Sequence, residues 1–521
     1  MKSLQLIDVF YFTVLSVLSF LLTKEIASTY DLIAGDESSY LRYGTDLFTV
    51  IRFDWGFAYN LWYKFLSLFA DSNIELYYFN YKTLIMLVPL LLFICLKRYG
   101  MHSFIAFVIA YLYLVSKLHI TTWPFVSDFC IVIMLTYFIV KSFIEDEGWT
   151  YIVLVFFSLL LYLTRPEYVF ALMPASFFAV YKNINHKIRW LLLIPVFLLF
   201  VYAGAETRDF NGFDRGFFAF AQHYFVTYTI WNPDVKLGIY DYFEMVPEIF
   251  GKSFSLWESM LFNPLEIARH IATCTGFYFL NIIKAFEDLL LPHFIFRYFG
   301  KAKHLLFLLL LVLMFLYIKR NKSKCRMSTL STFHISILFF FISAAVSNFV
   351  IGYNPHYIQL HFILLLLLGT LTLFRNLHLN NIYIHIYILF VLIILFHPSV
   401  KQYTFQQADY KETKYLPIQQ LAKFVNSTND KEPHFMIAYQ TNLHFLFDGN
   451  NFGGSDVFAI NKPFLQFLNA TKTDYIYVNQ QLLNDEKLQK DKEWLAFIEN
   501  PQKYGFNRIK FNGTKNYLLV K

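Results

Sequence analysis

The chain is patterned as long apolar runs separated by short polar breaks. Runs near 6–22, 83–96, 102–116, 124–140, 190–204, 304–318, 329–350, 358–374 and 382–397 each approach the roughly 20 residues a helix needs to cross a bilayer. The stretch 150–181 is too long for one crossing and is broken by Thr164-Arg165-Pro166-Glu167, where a proline removes an amide donor and charges would sit at mid-bilayer. Two shorter helices meeting at an aqueous face fit it better. That brings the expected number of spans to eleven and sets the two termini on opposite sides of the membrane.

Basic residues orient the spans. With the N-terminus inside, short inner loops collect Lys2, Lys97, Arg98, Lys141, Lys182, Lys187, Arg189, Lys319, Arg320, Lys322, Lys324, Arg326 and Arg375, whereas short outer loops hold only Lys117 and Arg165, as the positive-inside rule requires. The first run carries one basic residue before it and no small-x-small cleavage site, so it reads as an anchor rather than a signal peptide. Three sizeable pieces then face outward: 23–82, 205–303 and 398–521. In the second, the aromatic-rich segments 216–231 and 265–291 are amphipathic and suit the membrane surface. The third alternates a helix (Pro417–Asn426), strands (His434–Tyr439 and Tyr475–Val478), a charged helix (Gln480–Ile498) and a closing strand near Tyr517–Val520, the pattern of a small α/β fold. The expected architecture is therefore an α-helical polytopic membrane protein over 1–400 with a soluble C-terminal α/β domain over 401–521.

Composition agrees. Hydrophobic residues make up 57% of the 521, aromatics 21% and charged residues 16%, which excludes disordered and coiled-coil classes. The net charge of +7 is explained by the inner loops and argues for no nucleic-acid partner. The four cysteines form no C-x-x-C pair and indicate neither a zinc site nor a disulfide framework. Sequons at Asn426, Asn469 and Asn512 matter only in a host that glycosylates them, and the Phe-, Lys- and Asn-rich composition reads as bacterial. The expected location is the inner membrane, with the C-terminal domain periplasmic.

Seven of the spans contain no Asp, Glu, Lys or Arg, unlike an ion-coupled transporter with midplane charges. The ionisable residues gather instead at the outer mouths: Asp36, Glu37, Asp128, Arg165, Glu167, Glu206, Arg208, Arg269, His270, Lys284 and His356. Carboxylates can accept a proton from an attacking hydroxyl, while cations stabilise charge on a departing phosphate. Sugar transfer from a polyprenyl phosphate needs that pairing.

Three motifs carry a family resemblance: Gly35-Asp36-Glu37-Ser38-Ser39-Tyr40 after the first span, Thr164-Arg165-Pro166-Glu167, and Asn354-Pro355-His356-Tyr357 at the head of a late span. In this order over residues 1–400 the chain resembles the GT-C superfamily of polytopic glycosyltransferases, which includes the protein O-mannosyltransferases and the aminoarabinose transferase acting on lipid A. The resemblance implies an inverting transfer from a polyprenyl (undecaprenyl) phosphate sugar to a glycan, lipid or protein acceptor. It implies Asp36 as catalytic base with Glu37 adjacent, and a second acid, for which Asp128 is the candidate by position. Arg165, with Arg269 or His356 and Tyr357, would hold the phosphate. No organic cofactor is implied; a divalent cation beside Asp36 and Asp128 is compatible, although no ligand spacing demands one.

Each residue has a structural alternative. Asp36 and Glu37 can simply start a surface helix, Asp128 can cap its helix, and Thr164 with Glu167 can form a capping box. Arg269, His270 and Lys284 can be the solvated face of an amphipathic helix. At the level of function, the alternatives are a polymerase or ligase using lipid pyrophosphate donors and a non-catalytic transporter or scaffold.

Overall fold

The structure is a computed structural model describing residues 5–49, 51–121, 123–186, 189, 191–206, 215–234, 242–251, 255–290, 308–309, 312, 331–352, 355–374, 385, 415–428, 434–437, 442–448, 453–456, 460 and 462–521. The chain is mostly helical, with a small sheet near its C-terminal end. Among the described residues, four helical stretches are long and apolar enough to cross a membrane: Leu6–Thr29, Asn73–Arg98, Thr332–Ile351 and His356–Phe374. Shorter apolar helices cover Ser103–Leu114, Glu147–Tyr162 and Leu193–Ala203. The expected spans at 304–318 and 382–397 and the basic run 319–326 lie outside the described residues.

The bundle is built from α1 (Leu6–Thr23), α2 (Asp36–Thr45), α3 (Phe57–Leu66), α4 (Asn73–Arg98), α5 (Ser103–Leu114), α6 (Val126–Lys141), α7 (Glu147–Tyr162), α8 (Val169–Lys182) and α9 (Leu193–Glu206). These are followed by α10 (Arg215–Trp231), α11 (Tyr242–Phe250), α12 (Leu256–Phe262), α13 (Pro264–Leu290), α14 (Thr332–Val346) and α15 (Pro355–Phe374). α1 packs on α4 and α5, α4 on α6, and α6 through α8 form a row closed by α14 and α15.

α4 starts ten residues before the apolar run at 83–96, because the Ser72 side chain caps it by accepting from the Glu75 amide at 3.2 Å. The helix therefore reaches back into the segment 23–82 that was expected to face outward. The break near 164 is where it was expected: α7 ends at Tyr162, Arg165 is extended (φ −147°, ψ 118°) as the residue before a proline prefers, and a 3-10 turn at Pro166–Tyr168 leads into α8. The capping box does not form. Thr164 Oγ1 donates back to the Leu160 carbonyl at 2.8 Å, and Glu167 is taken by Arg165.

α10, α11 and α13 enclose their own apolar cluster of Phe217, Phe220, Tyr224, Val246, Phe250 and Ile267. α13 is amphipathic as its sequence suggests. It buries Ile267, His270, Cys274, Tyr278, Ile282, Ala285 and Leu289 at three- and four-residue spacing, and exposes Leu265, Phe279, Leu280 and Ile283. Its buried side meets α15 through Tyr278 against His361 and Phe286 against Phe362.

The C-terminal portion contains α16 (Pro417–Asn426), β1 (His434–Ile437), β2 (Gly453–Asp456), α17 (Phe464–Thr471), β3 (Tyr475–Val478), β4 (Asn507–Lys510) and β5 (Tyr517–Val520). The sheet order is β2-β1-β3-β5-β4, parallel from β2 to β3 and antiparallel beyond. β2 reads Gly-Gly-Ser-Asp and β4 Asn-Arg-Ile-Lys, too polar to announce strands. The charged helix expected over Gln480–Ile498 is instead three helices, Gln480–Leu483, Glu486–Gln489 and Lys492–Glu499. Asn479, Asp485 and Asp491 each turn a side chain onto following amides and restart the helix.

Period-2 alternation in β3 decides how this portion is seated. Tyr475 and Tyr477, with Leu518, Ile418, Leu421, Leu443, Leu446 and Phe447, belong to the same contiguous core as the helical bundle. Ile476 and Val478 face the other way, onto Phe464, Trp494 and Phe497.

Candidate functional site

The site grows from the start of α2. Gly35 has φ 123°, a conformation glycine tolerates best, and its carbonyl accepts from the Ser38 and Ser39 hydroxyls at 2.8 and 3.2 Å. This turn places Asp36 and Glu37 on successive positions about 100° apart around the helix. Their fates differ: Asp36 is exposed, whereas Glu37 is 6% exposed and points into the bundle.

Glu37 Oε1 accepts from Tyr59 Oη at 2.8 Å and Asn80 Nδ2 at 3.1 Å, and from the Tyr63 hydroxyl. Asn80 Oδ1 in turn accepts from Trp62 Nε1 at 2.8 Å. Glu37 is thus the acceptor that ties α2 to α3 and α4. Burial pushes its carboxyl up to about 8, against the hydrogen bonds from Tyr63 and Tyr59, with the charges of Asp36 and Asp128 adding to the rise.

Asp31, just before this turn, is buried too. It accepts from the Ile418 and Gln419 amides at 2.8 and 2.9 Å, at the first turn of α16, and burial carries it up to about 7 despite those bonds. Both folded-state values exceed the ordinary 4.5 and 3.8, so the folded protein keeps protons that the unfolded chain gives up. The resulting stabilisation is complete below about pH 4 and is lost as pH rises towards about 8. The apparent melting midpoint of the purified protein is expected to fall over that window, with a flatter profile in Glu37→Gln. Parallel profiles for the two proteins would contradict the assignment.

Asp128 does not cap α6. The cap position is Phe125, whose carbonyl accepts from the Asp128 amide at 2.9 Å. Asp128 is 1% exposed and its carboxylate lies 4.0 Å from His119 Nδ1, whose ring packs against Tyr113 at 4.8 Å. Asp128 Oδ1, His119 Nδ1 and Tyr113 Oη have no hydrogen-bond partner among the described residues. Asp128 is therefore an interior group, while Asp36 lies outside. Among the described residues no three His, Cys, Asp or Glu side chains gather as a metal site.

Arg165 sits at the centre of a clasp. Its Nε lies 2.6 Å from Glu167 Oε1, Nη1 donates to Ser127 Oγ at 3.1 Å, and Nη2 donates to Ser347 Oγ at 3.5 Å. Ser347 also donates to Glu167. The guanidinium lies over the Tyr357 ring at 4.2 Å. All three nitrogens are engaged and the residue is 8% exposed, so it does not open onto solvent. Asp36, Arg165 and Glu167 all lie within electrostatic reach of Tyr357, which makes this phenol the meeting point of the first and second motifs.

His356 stacks on Phe125 at 4.6 Å and against Tyr357 at 4.2 Å. Asn354 lies outside the described residues, as do Arg208 and the side chain of Glu206. α13 separates its two candidates: His270 turns inward to the Ile351 carbonyl at 3.2 Å, whereas Arg269 is exposed, 3.9 Å over Trp231 and 3.5 Å from Glu266. Lys284 is exposed on the same helix.

The structure adds groups that sequence reasoning missed. A π-turn at Ser347–Ile351 extends α14, a rare distortion often found at functional sites. It aims Ser347 at the Arg165 clasp, Asn348 Nδ2 at the Tyr357 carbonyl (3.2 Å) and the Ile351 carbonyl at His270. His223 of α10 packs on Gly352, where a Cβ would come within 2.2 Å of its own, and faces Tyr357 at 6.0 Å. The available signal was weak: Ser347-Asn348 are polar residues inside the apolar run 329–350, and Asn80 stands just before the run at 83–96. No protein-family model matches the chain, and comparison with curated proteins finds no match.

Proposed function

We propose that this protein is a membrane glycosyltransferase that moves a sugar from a polyprenyl phosphate to an acceptor hydroxyl on the outer face of a bacterial inner membrane. Eleven spans, an inner N-terminus and an outer α/β portion complete this reading. The observation that supports it best is the splitting of the acidic pair. Asp36 is exposed at the first position of α2, while its neighbour Glu37 is locked inside and fixes the helix that carries both.

In the proposed reaction Asp36 takes the acceptor proton as that oxygen bonds to the anomeric carbon. The bond from that carbon to the phosphate oxygen breaks on the opposite face, its electron pair leaves with the phosphate, and configuration inverts. Arg165 contributes by holding Tyr357, whose phenol, with His356, meets the developing negative charge. Purified protein in proteoliposomes is expected to consume undecaprenyl monophosphate sugars drawn from a radiolabelled panel. Turnover confined to pyrophosphate-linked donors would favour a polymerase or ligase, and solute flux without turnover would favour a transporter.

A further inference from the structure

The C-terminal portion reaches the same face of α2 as Asp36. Positions 36, 39, 40 and 43 share that face by helical spacing. Ser39 Oγ accepts from Asn442 Nδ2 at 2.9 Å, and Tyr43 meets Phe445 at 6.1 Å between ring centroids. Asn442 is therefore seated about one helical turn from the exposed carboxylate.

The segment carrying it is fixed from below. Leu443, Leu446 and Phe447 are each 0% exposed. Asp448 accepts from the Asn73 amide at 2.7 Å and from Asn426 Nδ2 at 2.6 Å, and the Phe447 carbonyl accepts from Asn73 Nδ2 at 2.7 Å. What remains partly exposed is Asn442, His444 and Phe445, alongside Tyr43. Burial and the nearby Arg42 charge lower His444 to about 4, so at neutral pH its imidazole is uncharged and can both donate and accept. An amide, a neutral imidazole and two aromatic rings suit a sugar ring, with hydroxyls for the polar groups and a C–H face for the aromatics.

We propose that residues 442–445 form the acceptor wall of the site and bind a glycan acceptor through Asn442, His444 and Phe445, an inference that rests on the transferase reading for its role in catalysis. Asp36 removes the proton from the acceptor hydroxyl that this wall presents. The test uses the full-length protein in detergent and measures equilibrium binding of a panel of soluble oligosaccharides, with maltotriose and chitotriose as first probes.

Asn442→Ala and Phe445→Ala are expected to weaken binding about tenfold each, equivalent to about 1.4 kcal/mol; the melting midpoint is expected to stay unchanged in Phe445→Ala and to fall slightly in Asn442→Ala, which loses the bond to Ser39 at a left-handed position (φ 65°). Phe445→Trp is expected to retain binding, which a loss of local structure would not allow. Equal affinity in wild type and the alanine variants, or no binding of any probe by wild type, would overturn the wall. If the alanine variants lose glycan binding while Asp36→Asn transfers sugar normally, the wall stands and the assignment of Asp36 falls.

Discussion

Asp36→Asn is expected to lower sugar transfer by about 10²- to 10⁴-fold, the usual contribution of a positioned general base, while leaving expression and melting midpoint unchanged. The first part follows from chemistry, since an amide cannot take the acceptor proton. The second follows from placement, since Asp36 is exposed at the first turn of α2 and the bonds that hold this turn come from Ser38 and Ser39. Radiolabel transfer from an undecaprenyl monophosphate sugar, measured alongside thermal unfolding, separates the two effects. Transfer at the wild-type rate would remove Asp36 from the mechanism.

Glu37→Ala is expected to behave in the opposite way and to fail in folding. Truncation leaves the Tyr59 and Tyr63 hydroxyls without their shared acceptor in a buried site and opens a void, while the Asn80 amide keeps the two phenol oxygens as acceptors. Unsatisfied buried donors cost about 1–3 kcal/mol each, so a total of roughly 2–6 kcal/mol is expected for the two hydroxyls, a large part of the stability of most proteins. Glu37→Gln keeps an acceptor oxygen and is expected to purify as a monodisperse species. Recovery of Glu37→Ala with a wild-type melting midpoint would show that the tyrosines find other partners.

Apolar periodicity located the helices well where the runs are long, as at α1, α14 and α15, and proline chemistry located the interruption after Tyr162. It failed where side-chain caps act. Ser72 lengthens α4 beyond its apolar run, and Asp485 and Asp491 cut the apparent helix that Asn479 starts into three.

The candidate site was readable to the extent that residues stand next to one another in the chain. Asp36-Glu37 and His356-Tyr357 were visible as pairs, but sequence could not show that Glu37 turns inward or that Asp128 faces His119. Nor could it show that Arg165 is enclosed, because Ser127 and Ser347 lie 38 and 182 residues away. The π-turn is marked in the sequence only by the polar pair Ser347-Asn348, since in a run apolar on all sides the phase shift of an extra residue per turn changes nothing visible.

Asp31 finds its amide partners at Ile418 and Gln419, 387 and 388 positions later in the chain. The segment leading into α2 therefore gains these partners only once the chain has been made past residue 419. A product that ends before residue 417 thus lacks the amides that hold Asp31 just ahead of α2.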